Sequence, residues 1–344
     1  AVKFSSFVFQ SPDSPWPQTQ LIALLQAAVC SLPKNITVPQ QEKLLVQLME
    51  LACTSDHRFT YTSAAKCIAG LINKYPAGEQ LDSVLQDVLK KIDSGLERNA
   101  GDCTQATSRT RVFTLLLWLT KALVLRYHSL AAILTDKLIQ LLTDPDLGTD
   151  AADGFSVLVS DSSDVLNKAT HADIRIMYRQ RFFTENVPKL VQGFHSASED
   201  NKSNYLKALS HVLNSLPKQV LMTELPSLLT LLLEALSCSD QVVQLSTLGC
   251  LHPLLLDATQ TMSLHVETLV NKLLNLTSSP AMKVRIASLQ CMHALTKLPP
   301  HVILPHKSRV IQALAKPLDD KKRLVRKEAV RARGEWFLLG SPGS

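Results

Sequence analysis

Apolar residues recur at a fixed spacing of 41 positions in the second half of the chain. One set runs through three successive segments: Val243, Leu248, Cys250 and Leu251, then Val284, Leu289, Cys291 and Met292, then, more loosely, Val325, Val330 and Ala332. A second set lies between them: Leu228, Leu229 and Leu232, then Leu269, Val270 and Leu273, then Val310, Ile311 and Leu314. Two apolar helical stripes in each unit of about 40 residues predict an all-α solenoid of HEAT or armadillo type.

The first half of the chain carries helical patterns as well. We predict helices over residues 19–30, 40–53, 81–96, 109–126 and 130–142, and a repeat that begins at Asp56. The 344 residues then correspond to roughly seven helix pairs plus a terminal helix, in one repeat domain over 1–344. Regular repeats are expected over about 200–337, and residues 340–344 as a flexible tail. Segment 109–126 is strongly apolar, and we expect it and the following helix, 130–142, to form the most deeply buried part of the array.

Residues 144–173 break the regular pattern. They contain seven aspartates, a single lysine, Lys168, and no arginine. We expect Gly148 and Gly154 to interrupt the helix. We therefore predict an irregular repeat with a solvated acidic loop, in which some aspartates cap helix starts. A calcium loop is excluded, because Gly148 takes the place of the third ligand and Phe155 that of the closing glutamate.

Composition supports a helical protein and excludes several classes. The chain is 46% hydrophobic but only 5% aromatic. The longest apolar run, residues 112–119, is far shorter than the ~20 residues of a membrane span, so we expect a soluble protein with no membrane partner. There is no initiator methionine or signal peptide, which favours a piece of a longer chain.

The cysteines and the search for motifs argue against chemistry in this chain. The seven cysteines form no C-x-x-C pair, and Cys250 and Cys291 share a repeat position, so we expect reduced thiols in the core and no metal or cofactor. His252 and His293 also share a repeat position, which is a preference of one helix face rather than a ligand pair. Phosphate-binding, zinc-protease and nucleophile-elbow motifs are all absent, so we do not expect an enzyme.

Positive charge is concentrated at the end of the chain. From residue 281 onward there are 13 lysines and arginines and 4 aspartates and glutamates. Residues 1–280 contain 23 lysines and arginines and 26 aspartates and glutamates. In the last helix an apolar stripe of Val325, Ala329, Ala332 and Trp336 is surrounded by basic residues. One interpretation is a capping helix whose outer face must be polar. The other is a docking surface, because a field of one sign attracts an acidic partner.

Three segments carry a resemblance to a known family. They are RIMYRQRFF (175–183), LSTLGCLHPLLLDATQTMSLHVETLVNKLLNLTSS (245–279) and VRIASLQCMHALTKLPPHVILPHKSRVIQALAKPLDDKKRLVRKEAVRARGEWFLLG (284–340). Nearly the whole chain resembles the C-terminal region of the methyl-methanesulfonate-sensitivity family of nucleotide excision repair proteins. The likeness lies in extended sequence and not in a catalytic motif.

The resemblance implies a specific function. Members of this family are HEAT-repeat adaptors, or scaffolds, of the cytosolic iron–sulfur cluster assembly targeting complex. Their C-terminal repeats hold a carrier subunit, which in turn holds a β-propeller subunit. The complex delivers clusters to apo-proteins such as DNA helicases, polymerases and primase. The family is also tied to the excision-repair transcription factor complex and to the mitotic spindle and chromosome segregation, and its implied location is the cytoplasm and nucleus.

Combined with the charge pattern, the resemblance gives a predicted partner-binding set for the carrier subunit. Its members are the basic residues of the last repeats: Lys307, Arg309, Lys322, Arg323, Arg326, Lys327, Arg331 and Arg333. The cysteine spacing argues against a cluster bound by this chain itself, since cluster ligation needs closely grouped thiolates.

Two alternatives from other classes stay open. A nucleic-acid-binding solenoid would use the same basic end, although that end has no interleaved aromatic residues for base stacking, so direct nucleic-acid binding is not the favoured interpretation. A transport receptor of the importin kind would share the fold, but such receptors are usually acidic, and this chain carries a net charge of +6.

Overall fold

The computed structural model describes residues 15–97 and 105–340, and within these every regular element is helical. Residues up to Leu190 form one compact unit and residues from Val191 onward form a second, with the division inside the eighth helix. The first unit holds α1 (Pro15–Cys30), α2 (Gln41–Thr54), α3 (Arg58–Lys74), α4 (Glu79–Leu96), α5 (Gln105–Leu125), α6 (Ala131–Gln140), α7 (Gly148–Val159) and the first part of α8 (Tyr178–Ser196).

The second unit contains the regular repeats. Its helices are α9 (Glu199–Asn214), α10 (Lys218–Ala235), α11 (Gln241–Asp257), α12 (Thr259–Ser263), α13 (Val266–Leu276), α14 (Met282–Leu295), α15 (Pro300–Ile303), α16 (Lys307–Ala313), α17 (Ala315–Leu318) and α18 (Arg323–Leu338). The first helices of successive repeats, α9, α11, α14 and α18, begin 42, 41 and 41 residues apart. Each packs against the next, which confirms the predicted period.

Apart from the short helices α12, α15 and α17, the described chain consists of seven successive helix pairs and one further helix. In order they are α1 with α2, α3 with α4, α5 with α6, α7 with α8, α9 with α10, α11 with α13 and α14 with α16, followed by α18. The all-α solenoid predicted from the sequence is thereby confirmed, with the number of pairs as expected.

Helix α5 lies at the centre of the first unit. It contacts α3, α4, α6 and α7, and its residues Leu115, Leu116, Leu119 and Leu123 are completely buried. This is the first of the two segments predicted to be the most deeply buried, whereas the second, α6, buries only Leu134, Thr135 and Leu138. A helix that contacts neighbours on several sides needs apolar residues around most of its circumference, which explains why the sequence of α5 is so hydrophobic.

The loop predicted over residues 144–173 is partly wrong. Helix α7 occupies Gly148–Val159, so the irregular stretch is residues 160–177. Neither Gly148 nor Gly154 interrupts the helix. A Cβ added at Gly154 would lie 3.0 Å from Leu117 Cδ1, so this glycine allows α7 to approach α5 closely.

Two further expectations concern the C-terminal tail and membrane spans. Of the predicted tail, Gly340 is described and has a φ of 72°, whereas residues 341–344 lie outside the described residues, as does Cys103. No helix among the described residues is both long enough and apolar enough to cross a bilayer.

Candidate partner-binding surfaces

The apolar stripe of α18 anchors this helix to the repeat before it. Val325, Ala329, Ala332 and Trp336 are all completely buried. The indole Nε1 of Trp336 donates a hydrogen bond of 2.7 Å to the carbonyl oxygen of Met292 in α14. A buried indole needs such a partner, because an unsatisfied N–H is costly in the core. The stripe predicted from the sequence is therefore a packing surface, with Trp336 as its largest member.

The opposite side of α18 is exposed and carries both basic and apolar residues. We define the α18 outer face as Arg323, Lys327, Val330, Arg331, Phe337 and Leu338, all of which are exposed. The side chains of Arg323, Lys327 and Arg331 make no hydrogen bond or ion pair with another described residue. Three cations without an ion pair, beside three exposed apolar side chains, form a surface suited to an acidic amphipathic partner.

The repeat register shows that Val330 is unusual. Val330 is 62% exposed, whereas its equivalents one and two repeats earlier, Leu289 and Leu248, are buried at 0% and 1% exposure. Both leucines belong to helices on which the first helix of the following repeat packs. No described residue covers the same position on α18.

The structure does not bring all eight predicted partner-binding residues together. Arg323, Lys327 and Arg331 lie on the outer face, and Lys322 stands exposed just before the helix, where its backbone N–H donates to Asp320 Oδ1 at 2.8 Å. The other four donate hydrogen bonds to oxygens inside the unit: Arg326 to Asp320 O (2.6 Å), Arg333 to Ile311 O (3.1 Å), Lys307 to Leu339 O (2.6 Å) and Arg309 to Asn271 Oδ1 (2.5 Å).

A second basic surface was not predicted from the sequence. Two adjoining cavities of about 470 and 500 Å³ share Asn275 and Ser278, and together we call them the polar groove. The first lies beside α13 and the turn after α10, and the second lies between α13 and α16–α17. Its three cations, Lys272, Arg309 and Lys316, come from two successive repeats.

Most aspartates of the acidic segment form ion pairs. Asp144 contacts Arg109 at 2.5 Å, and three further aspartates pair with bases elsewhere in the first unit: Asp161 with Arg179, Asp164 with Lys66 and Asp173 with Lys34. The prediction of a solvated acidic loop is therefore wrong for Asp144 and Asp173, whose side chains are mostly buried, whereas Asp161 and Asp164 form ion pairs but stay exposed. Their bases lie up to 139 residues away in the sequence, between Lys34 and Asp173, so spacing could not reveal the pairs.

Hydrogen bonds at Asp144 and Asp164 stabilise their charged forms. Burial by itself raises the pKa of each carboxyl, but the bonds that each accepts lower the pKa overall. Asp144 accepts from the Arg109 guanidinium and from the backbone N–H groups of Leu147 and Asp146. The N-cap of α7 is Leu147, which has no side-chain cap, so the Asp144 carboxylate binds N–H groups of the turn before this helix and the predicted capping role is not found there.

The segment RIMYRQRFF helps to hold the irregular stretch in place. Arg175 N donates to Leu125 O at 2.8 Å, and Tyr127 Oη donates to Ile176 O at 2.5 Å. Both Tyr127 and Met177 have positive φ, 59° and 64°, which is uncommon for residues other than glycine. A cavity of about 230 Å³ lies beside this contact, lined in part by Tyr127 and Asn186. The segment therefore contacts the end of α5 and the turn after it.

Two cysteines at equivalent repeat positions behave as core residues. Cys250 and Cys291 are buried, as predicted, and burial raises the pKa of both thiols to about 12. Such thiols stay protonated at neutral pH and are poor metal ligands. Among the described residues no group of three His, Cys, Asp or Glu side chains could hold a metal ion.

Comparison with known proteins places the chain in a family. The family model described as RNAPII transcription regulator C-terminal matches residues 2–296. The chain belongs to this MMS19 C-terminal family. The resemblance seen in the sequence is thus confirmed, and the match ends before α18, so the α18 outer face lies beyond the matched residues.

Individual relatives of the MMS19 family agree with this assignment. The MMS19 nucleotide excision repair protein homolog of Homo sapiens is 66% identical over 332 residues, which are 96% of this chain and 32% of that protein. The DNA repair/transcription protein mms19 of Schizosaccharomyces pombe is 30% identical over 92% of this chain and 31% of that protein. The chain spans about a third of the length of these relatives.

One solved structure supports the fold alone. An engineered protein with 17% identity matches with a TM-score of 0.50 over 97% of this chain and 77% of its own.

Proposed function

We propose that this chain is the docking part of a non-enzymatic helical-repeat adaptor that serves DNA repair and transcription. The α18 outer face is the observation that carries the docking role, because it combines unpaired positive charge with exposed apolar side chains. Membership of the MMS19 family, whose relatives are named for nucleotide excision repair and transcription, supports the cellular context. A solenoid suits this role because it presents long, solvent-exposed helix faces to several partners.

We further propose that the adaptor belongs to the cytosolic iron–sulfur assembly targeting complex. In this proposal the α18 outer face binds the carrier subunit, which holds the β-propeller subunit, and the assembled complex serves apo-proteins of replication and repair in the cytoplasm and nucleus, and at the mitotic spindle. The cluster is cargo and needs no ligand from this chain. The likeness to the family supports this finer role, and the positive outer face supports an acidic partner.

The docking proposal is tested by charge reversal on the outer face. The variant R323E/K327E/R331E is mixed with the carrier subunit, and the complex is measured by size-exclusion chromatography with light scattering at low and at high salt. We expect the wild type to form a salt-sensitive complex and the variant to form none. Exposed charges contribute little to folding, so the variant should keep its helical content.

A matched control separates a specific surface from net charge. K43E/K90E/K91E changes the net charge by the same amount at exposed lysines of the first unit. This control should bind the carrier subunit as the wild type does. Undiminished binding by R323E/K327E/R331E would show that the outer face is not the binding surface. If the wild type and both variants all failed to bind, the carrier subunit would not be the partner of this chain. Binding of the basic end to single-stranded DNA instead would favour the nucleic-acid alternative.

A further inference from the structure

The polar groove carries positive charge that no acidic residue of its lining balances. Lys272 donates a hydrogen bond to Ser237 Oγ, Arg309 to Asn271 Oδ1 at 2.5 Å, and Lys316 to Ser278 Oγ at 3.3 Å. All three acceptors are neutral, so they fix the position of each cation without cancelling its charge. Among the described residues that line the two cavities there is no aspartate or glutamate.

This arrangement differs from the ion pairs that many other bases of the molecule form. Elsewhere many bases pair with a carboxylate, for example Lys66 with Asp164 and Lys218 with Asp257. The nearest acid in sequence to the groove, Asp240, accepts hydrogen bonds from the backbone N–H groups of Val242 and Val243 and faces Lys207 at 3.9 Å. Its carboxylate is therefore engaged outside the groove.

The repeat register explains how the groove is built. Ser237 and Ser278 are 41 residues apart and follow the second helix of successive repeats, and each accepts a hydrogen bond from a lysine of the next repeat. The two cavities are consequently neighbouring copies of one inter-repeat depression. A ligand that follows the repeats would pass from one cavity to the other at their shared residues, Asn275 and Ser278.

The uncharged lining is suited to a peptide backbone. Asn275 and Gln312 are exposed, and their side-chain amides make no hydrogen bond with another described residue. Amides of this kind can donate to a peptide carbonyl and accept from a peptide N–H. The lining contains no aromatic side chain on which a nucleic-acid base could stack, which disfavours a single-stranded nucleic acid.

We infer that the polar groove binds an extended, glutamate- or aspartate-rich segment of a protein partner, at a site separate from the α18 outer face. Lys272, Arg309 and Lys316 attract the carboxylates, and the Asn, Gln and Ser side chains bind the backbone between them. The inference rests on the proposed function only in that both describe a protein-binding module. The surfaces share none of their defining residues, so each can fail without the other.

The inference is tested with a fluorescein-labelled hexaglutamate peptide and fluorescence anisotropy at low salt. Two charge-reversal variants with an equal change in net charge are compared: K272E/R309E/K316E in the groove and R323E/K327E/R331E on the α18 outer face. We expect the groove variant to lose at least about tenfold in affinity, which is about 1.4 kcal/mol, and the outer-face variant to lose at most about twofold. Equal losses in both variants, or no loss in the groove variant, would overturn the inference.

Two further measurements protect the test against misfolding and against the nucleic-acid alternative. K272Q/R309Q/K316Q removes the charges but keeps side-chain donors, and with an unchanged thermal transition it should also bind the peptide at least about tenfold more weakly than the wild type. A twelve-residue oligothymidine serves as the second probe. If the groove substitutions weakened the oligothymidine and left the peptide affinity unchanged, the groove would be a nucleic-acid site and the inference would be wrong.

Discussion

Trp336 shows how a single side chain holds α18 on the array. It is completely buried and donates a hydrogen bond to Met292 O. We expect Trp336→Ala to lower the free energy of unfolding of the second unit by about 3–5 kcal/mol, because a large cavity forms and the Met292 carbonyl loses its partner. Urea denaturation followed by circular dichroism measures this change.

Two comparisons make the expectation for Trp336 specific. Trp336→Phe keeps most of the apolar volume but removes the donor, so it should cost less than the alanine variant. Phe337→Ala, at a neighbouring position that is 63% exposed, should change the free energy of unfolding by less than about 0.5 kcal/mol. A Trp336→Ala protein as stable as the wild type would show that α18 is not held by this contact.

Lys121 is a buried base whose titration should make the free energy of unfolding depend on pH. It is 2% exposed, and its Nζ donates to Ser160 O at 2.8 Å. Burial is the main cause that lowers its pKa to about 8 from 10.5. Between these two values the unfolded chain binds more protons than the folded chain, so the contribution of Lys121 to stability rises as the pH rises from 8 towards 10.5.

The expected outcome is a difference in pH dependence. Between pH 7 and roughly 9.5 the wild type should gain about 2 kcal/mol of unfolding free energy relative to Lys121→Met, in which the titrating group is absent. Lys43→Met, at an exposed position, should follow the wild type. Parallel curves for Lys121→Met and the wild type would mean that Lys121 titrates normally in the folded state.

At the scale of elements, glycines reveal which helix faces are in close contact. A Cβ at Gly193 of α8 would lie 2.3 Å from Tyr205 Cε1 of α9, whereas a Cβ at Gly334 of α18 would meet nothing within 4 Å. We expect Gly193→Ala to destabilise the protein by about 1–3 kcal/mol through overpacking. Gly334→Ala should stabilise it by roughly 0.5–1 kcal/mol, because alanine loses less backbone entropy in a helix.

Thermal and urea unfolding of the two alanine variants distinguish these effects. The informative result is that the two substitutions change the free energy of unfolding in opposite directions, since helix propensity by itself favours alanine at both positions. Stabilisation by Gly193→Ala would show that Tyr205 moves aside at little cost.

The boundaries of the helices could be predicted from the sequence, because most predicted helices agree with the observed ones within a few residues.

The irregular stretch marks the limit of element prediction. Its aspartates are visible in the sequence, but whether an aspartate is solvated or ion-paired depends on which base the fold places beside it. Asp164 meets Lys66 across 98 residues, and Asp144 meets Arg109 across 35. No local rule connects such pairs, and the same holds for Gly154, whose role depends on the position of Leu117.

At the scale of the whole molecule, the charge asymmetry resolves into two surfaces of the second unit. The excess of bases from residue 281 onward is real in the sequence, but it does not form one patch. Arg326 and Arg333 donate to backbone carbonyls. Arg309 and Lys316 join Lys272 in the polar groove, and Arg323, Lys327 and Arg331 lie on the α18 outer face. The two proposed partners, a carrier subunit and an acidic segment, therefore correspond to separable sets of residues.

The sequence by itself determined the all-α solenoid, its 41-residue period, the buried stripe of α18 and the absence of close-spaced cysteine ligands. These follow from residue spacing, because a helix repeats every 3.6 residues and a repeat buries equivalent positions. Only the tertiary structure decided which bases keep a free charge, since a lysine or arginine is neutralised or left unbalanced by neighbours from other helices. Lys272 and Lys316 carry no local mark of function, and they become a candidate site only because consecutive repeats place them in one groove without an acid.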